Sequence, residues 1–247
     1  MQFSILSRII HYWAANLRLL AYHCWMKKRL SIFALLIWVS SNAQIREGMV
    51  KYSMKLDSKD EMANQLLSNT SVTVYFKNEK SLVVMTTLAY SMKSLTDASG
   101  VLTLMDGAGQ KTYFKKTKEE IAKDKAGKKI PDPKITFTKE KKRILGYDCT
   151  KVIINQPDIS GKIPKGGEIV IWHTDKILSH AATGPLSSEA AAVLKGMALE
   201  IDMQQGEIKS RMTASEISTK PVGEAIFNLS TAGFTEKKSG SGNTIRK

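Results

Sequence analysis

Two histidines, His173 and His180, stand close together with Asp175 between them. A zinc-type site needs three or four convergent ligands, and the Thr, Lys, Ile and Leu residues around them match no established ligand spacing. No metal ligand is assigned. Ser187 and Ser188 lack the Gly-x-Ser-x-Gly elbow that exposes a nucleophilic serine, so hydrolase chemistry is not indicated. Asp148 and Lys151 are three apart on an extended run, face opposite sides, and do not form an acid–base pair. Cys149 lies among β-branched and aromatic residues, the setting of a buried, inert thiol. The expectation is a protein without catalytic residues or cofactor.

What remains is apolar recognition. Nine methionines follow residue 43: Met49, Met54, Met62, Met85, Met92, Met105, Met197, Met203 and Met212. Flexible thioethers adapt to irregular partners, so such a set suits either a concave acyl-chain site or a packed core. Tyr147 and Trp172 each have an apolar body with one polar tip, fit for a pocket mouth or a core anchor. The candidate ligand-binding residues are Val50, Tyr52, Met54, Met85, Tyr147, Trp172, Met197 and Leu199.

The elements that must position them begin after a leader. Residues 26–43 have the layout of a secretory signal: Lys27, Lys28 and Arg29, an apolar run from Leu30 to Val39, and Ser41-Asn42-Ala43 as the cleavage signature. That run is too short to cross a hydrocarbon core, which takes roughly 20 residues. Cleavage after Ala43 predicts a periplasmic or secreted product that does not span the membrane. Residues 1–25 precede the normal place for a signal and read as a misassigned start, the competing account being a membrane-associating extension. Residues 44–236 are expected to form one β-rich domain, and 237–247 a disordered tail.

The leader holds five of the 37 Lys and Arg and none of the 23 acidic residues, leaving the remainder at a net +9. Residues 115–143 carry twelve of those basic residues against five acidic ones. Charge concentrated in one segment without a reading helix or stacking aromatics argues against nucleic acid. A solvated lysine-rich excursion and a contact with anionic lipid or an envelope partner both fit it. With Cys24 in the leader, Cys149 has no internal disulfide partner.

Period-two alternation in residues 49–56, 71–76, 81–88, 90–95, 101–105 and 111–115, with turn residues between, predicts an antiparallel meander. Ser58-Lys59-Asp60-Glu61 and Thr117-Lys118-Glu119-Glu120 have capping-box spacing and predict short helices. Residues 144–154 read as one central strand, followed by strands at 169–173, 197–203 and 207–217 and a short helix at 185–195. The total is nine or ten strands with two or three short helices, a mainly β (α+β) fold.

Gly146, Tyr147, Cys149 and Lys151, then Val170, Trp172 and Thr174, Gly196 and Leu199, and finally Phe227, Gly233 and Phe234 resemble an exported bacterial family with a domain of unknown function, akin to the GLPGLI proteins. That resemblance implies distant kinship with LolA-type carriers: an antiparallel sheet curled into a half-barrel whose concave side is an apolar, lipid-binding pocket. Ala232-Gly233-Phe234 departs from the family's Pro-Gly-Tyr-like ending. Two functions follow, an exported non-enzymatic binder of a lipid or lipoprotein acyl chain, or an envelope interaction protein working through its surface.

Overall fold

A computed structural model describes residues 44–61, 64–65, 69–127, 133–155, 167–178, 194, 196–205 and 208–237, all within the unit Gln44–Lys247. The strands are β1 (Glu47–Asp57), β2 (Ser71–Lys77), β3 (Lys80–Thr86), β4 (Tyr90–Asp97), β5 (Gly100–Gly107), β6 (Gln110–Thr117), β7 (Lys134–Ile144), β8 (Tyr147–Asn155), β9 (Glu168–Thr174), β10 (Met197–Gln205), β11 (Ile208–Ser218) and β12 (Thr235–Glu236). Among the described residues an α-helix, α1 (Lys118–Gly127), follows β6, and a 3-10 turn spans Glu224–Phe227. All twelve strands join one sheet in the order β12-β6-β5-β4-β3-β2-β1-β11-β10-β9-β8-β7. Its ends, β12 and β7, do not pair with each other, so the sheet is open. No helix among the described residues is long and apolar enough to cross a membrane.

Short hairpins explain most of this order, because adjacent runs joined by two or three residues have no room for a parallel crossover. Ala108 and Gly109, at φ 52° and 73°, give the positive dihedrals a type I′ turn demands between β5 and β6. Leu145 and Gly146, at 48° and 87°, do the same between β7 and β8. This corrects the expectation of one strand over residues 144–154. Gly146 is the second residue of a hairpin turn that joins the edge strand β7 to β8, which pairs with β7 on one side and β9 on the other.

The lysine-rich segment also differs from the expected excursion. It contains the end of β6, α1 and most of β7. In α1 the Thr117 hydroxyl accepts the Glu120 N–H at 3.2 Å, and the Glu120 carboxylate accepts the Thr117 N–H at 2.8 Å. Exposed Lys134, Lys139, Lys141 and Arg143 line the edge strand β7, where lysines discourage pairing with another chain. Glu61, Asn64 and Gln65 are helical, but the Ser58 N–H goes to Asn64 Oδ1 at 3.1 Å. The helix expected at 185–195 lies outside the described residues, apart from Leu194.

Two closures use residues far apart in sequence. β1 pairs with β11, which joins the meander β1–β6 to the strands β7–β11. At the other end Thr235 and Glu236 run parallel to Thr112 and Tyr113, covering the β6 edge. The segment leading there crosses the back of the meander, where Phe227 packs with Leu82 and Leu95, flanked by Tyr75, Val84, Val222, Ile226 and Leu229. Lys77 Nζ holds it down, 3.0 Å from Glu47 and 3.3 Å from Glu224, while Glu47 accepts the Val222 N–H at 2.6 Å. That N–H, then Lys77, keeps the Glu47 carboxyl below its usual range. At the start of the domain Ile45 bridges Ile177 in parallel, its N–H donating to Lys176 O at 2.8 Å.

Candidate functional site

The sheet's main apolar face is built in cross-strand rows, because residues directly opposite in register point to the same side. In one row Val50 pairs with Val74, Val74 with Val83, and Val83 with Ser94. The next runs from Ala214 to Tyr52, Val72, Met85, Met92, Met105 and Thr112. Burial fades along this second row. Tyr52 and Val72 are 3% and 2% exposed, Met85 and Met92 half-buried, and Met105 38% exposed.

Tyr52 shows how the buried end is held. Ala214 opposite it is small enough for the ring to cross β11, and its hydroxyl donates to Ala198 O at 2.7 Å. Ala198 stands at a bulge, where register shifts against β9 and the ladder leaves backbone groups to be satisfied otherwise. Burial raises the Tyr52 phenol far above its ordinary range.

Of the eight candidate residues, Val50, Tyr52, Met54 and Met85 share this face. Met197 and Leu199 on β10 are fully buried beside it. Trp172 lies on the opposite face, its ring flanked by Lys142 Nζ at 5.6 Å and Lys151 Nζ at 6.0 Å. Lys142 also reaches the buried Glu200 carboxylate at 2.6 Å, and Lys151 reaches Glu140 at 3.0 Å. Tyr147 is half-buried at the start of β8, opposite Ile144. Alternation did identify which residues share this face, since Val50, Tyr52 and Met54 are three successive even positions. It did not identify where burial of the face ends.

That end is formed by Met85, Met92, Met105 and the β3–β4 loop. Leu88 is 73% and Tyr90 36% exposed. The Thr87 hydroxyl accepts the N–H groups of Ala89 and Tyr90 at 3.1 and 3.0 Å, which fixes the loop. Gly107 opposite Tyr90 has no room for a side chain, since a Cβ would stand 2.5 Å from Tyr90 Cβ. Of these residues, Leu88, Tyr90, Met92 and Met105 were not selected as site residues from the sequence; Met92 and Met105 appeared only among the methionines.

Two depressions lie elsewhere, and charged side chains contribute most of their lining residues. One, of about 680 Å³, is lined by Arg46, Lys77, Lys80, Asp97, Ser99 and Glu224 among others. The second, of about 600 Å³, has Lys55, Asp57, Glu168, Asp202, Lys209 and Arg211 around Val170 and Met203. Neither contains any of the eight candidates.

The titratable groups singled out from the sequence lie apart from the exposed end. Cys149 is buried, and burial, then the charges of Asp148 and Glu200, push its thiol up to about 11. His173 is held below its ordinary value by burial, against an opposing pull from Asp175, and its Nδ1 is buried without a partner. His180, Ser187 and Ser188 lie outside the described residues. Among the described residues no three His, Cys, Asp or Glu side chains cluster as metal ligands.

No family model matches the chain, and no curated protein matches it. Among solved structures, PNGF-II is 12% identical with a TM-score of 0.45 over 78% of this chain, but only 31% of its own length is spanned. The Mycobacterium tuberculosis lipoprotein LppX is 9% identical, TM-score 0.32, over 71% of this chain and 88% of that one. A DUF1329 family protein from Desulfovibrio piger is 6% identical, TM-score 0.36, over 79% and 95%. At such low identities and TM-scores these likenesses carry no inference about function.

Proposed function

We propose that the chain is an exported, non-enzymatic protein of the cell envelope that binds an apolar or amphipathic ligand, a lipid or lipoprotein acyl chain. The observation that carries this reading is the part-exposed apolar row of Met105, Met92 and Met85, continuous with the buried face and flanked by Tyr90, with the exposed Leu88 in the adjoining β3–β4 loop. An apolar row left part-exposed across three strands offers a surface for an apolar ligand to cover. The signal-like layout of residues 26–43 and the resemblance to GLPGLI proteins are what support an exported compartment and a half-barrel kinship. In this reading the acyl chain lies along β3–β5, while Val50, Tyr52, Met197 and Leu199 are the wall behind it.

Titration of the full chain with a fluorescent fatty-acid analogue tests the proposal. Leu88→Asp and Met105→Asp should each weaken binding by about tenfold or more without changing the melting temperature, since both positions are exposed. Unaltered affinity in both would remove it. The second reading, an envelope interaction protein, is favoured by one observation: β7 is an exposed edge strand carrying Phe137 at 55% exposure among its lysines. Charge reversal at Lys139 and Lys141 should then abolish capture of the partner while leaving fatty-acid binding intact.

A further inference from the structure

Met85, Met92 and Met105 occupy successive places in one cross-strand row, Met85 opposite Met92 and Met92 opposite Met105. Their three thioethers therefore stand on one side of three adjacent strands, with backbones about 4.8 Å apart. A methionine side chain is unbranched with three rotatable bonds, so the outer two reach toward the middle one without backbone movement. The row is open to solvent at Met105 and closed by Val72 beyond Met85. Met85 sulfur already has a polar partner, accepting the Tyr90 hydroxyl at 3.7 Å. In the neighbouring row, Ser94 and Thr103 bond one another at 2.9 Å.

Neutral sulfur donors with no carboxylate or imidazole in the row select for softness, since thioethers bind Cu(I) well and leave hard cations in water. We propose that the Met85–Met92–Met105 row binds a soft monovalent cation, Cu(I) or its analogue Ag(I), through three thioether sulfurs. The site goes beyond the acyl-chain reading and does not rest on it, because leucine in place of methionine keeps the apolar surface and removes only the sulfur. A thioether has no proton to lose, so affinity is insensitive to pH where a thiolate or imidazole site would weaken on acidification.

The test is competition for Cu(I), supplied anaerobically as its acetonitrile complex, between the full-length protein and bicinchoninate. The expected result is one Cu(I) per chain, with affinity changing less than about threefold between about pH 7.5 and about pH 5.5. Each single Met→Leu change should weaken it by at least about tenfold, as loss of a ligand does. M85L/M92L/M105L should abolish it, while Cys149→Ala leaves it unchanged. Near-ultraviolet circular dichroism and the urea unfolding midpoint report whether the triple variant is folded; M105L, at the most exposed position, decides the matter if it is not. Retention of full affinity by M105L or by the folded triple variant, loss in Cys149→Ala, or a steep fall in affinity at the lower pH would overturn the proposal. So would a wild-type chain that takes no Cu(I) from the competitor.

Discussion

Replacing Tyr52 by phenylalanine separates a structural residue from a ligand-contacting one. Its hydroxyl donates at 2.7 Å to Ala198 O, and both residues are buried, at 3% and 0% exposure. Phenylalanine keeps the ring and removes the donor, leaving the Ala198 carbonyl at a bulge without its partner. An orphaned buried acceptor costs about 1–3 kcal/mol. For a domain of this size about 1 kcal/mol lowers Tm by about 2–4 °C, so Tyr52→Phe should melt roughly 2–12 °C lower by circular dichroism. The deficit should also depend on pH. Burial raises the folded-state pKa of Tyr52, so wild type loses this group's stabilisation as pH rises above its unfolded value of about 10. Tyr52→Phe has none to lose, and the gap between the two narrows in alkali. A Tm shift under about 1 °C at neutral pH, with weakened fatty-acid binding instead, would refute the argument and place Tyr52 in the ligand site.

Gly196 has φ +150°, and a Cβ there would stand 2.0 Å from Thr174 O. Gly196→Ala should therefore cost about 2–4 kcal/mol in urea unfolding, and a change below about 1 would show that this junction relaxes freely. Cys149, with its thiol pushed up to about 11, should resist iodoacetamide at about pH 8, where about one molecule in a thousand is thiolate, and react promptly once unfolded. Mass-spectrometric mapping of stoichiometric labelling at Cys149 in the native state within minutes would contradict its burial. Its raised folded-state pKa also predicts stability that is complete below the unfolded value, about 8.5, and lost as pH rises through about 11.

The local parts of the fold were legible because their causes are local. Alternation along residues 49–56 and 71–115 marks strands, and turns as short as Ala108-Gly109 force antiparallel neighbours. Thr117 and Glu120 specify each other's backbone partners over three residues. Where a local signal has two readings the sequence misleads. Gly146 within an apolar run reads as a strand interior until its φ of 87° and that of Leu145, 48°, mark it as a hairpin turn. Ser58 and Glu61 have capping-box spacing, yet Asn64 takes the Ser58 N–H. Pairing of β1 with β11, and the Tyr52–Ala198 hydrogen bond across 146 residues, have no local cause to be read.

The methionine row falls between these cases. A hairpin's turn fixes its register, so placing a turn at Ala98-Ser99 already puts Met92 opposite Met105. Placing the next at Leu88-Ala89 puts Met85 opposite Met92. Extending alternation through Leu88, as the sequence invites, hides the second of these pairings. What no pattern conveys is where the cover over this face ends, because Met105 and Val72 share the row yet are 38% and 2% exposed. Burial is set by what packs above a residue and periodicity only by which side it faces. Periodicity thus tells which side of the sheet a residue faces and not whether it is covered, and the chemistry proposed for β3–β5 depends on that cover.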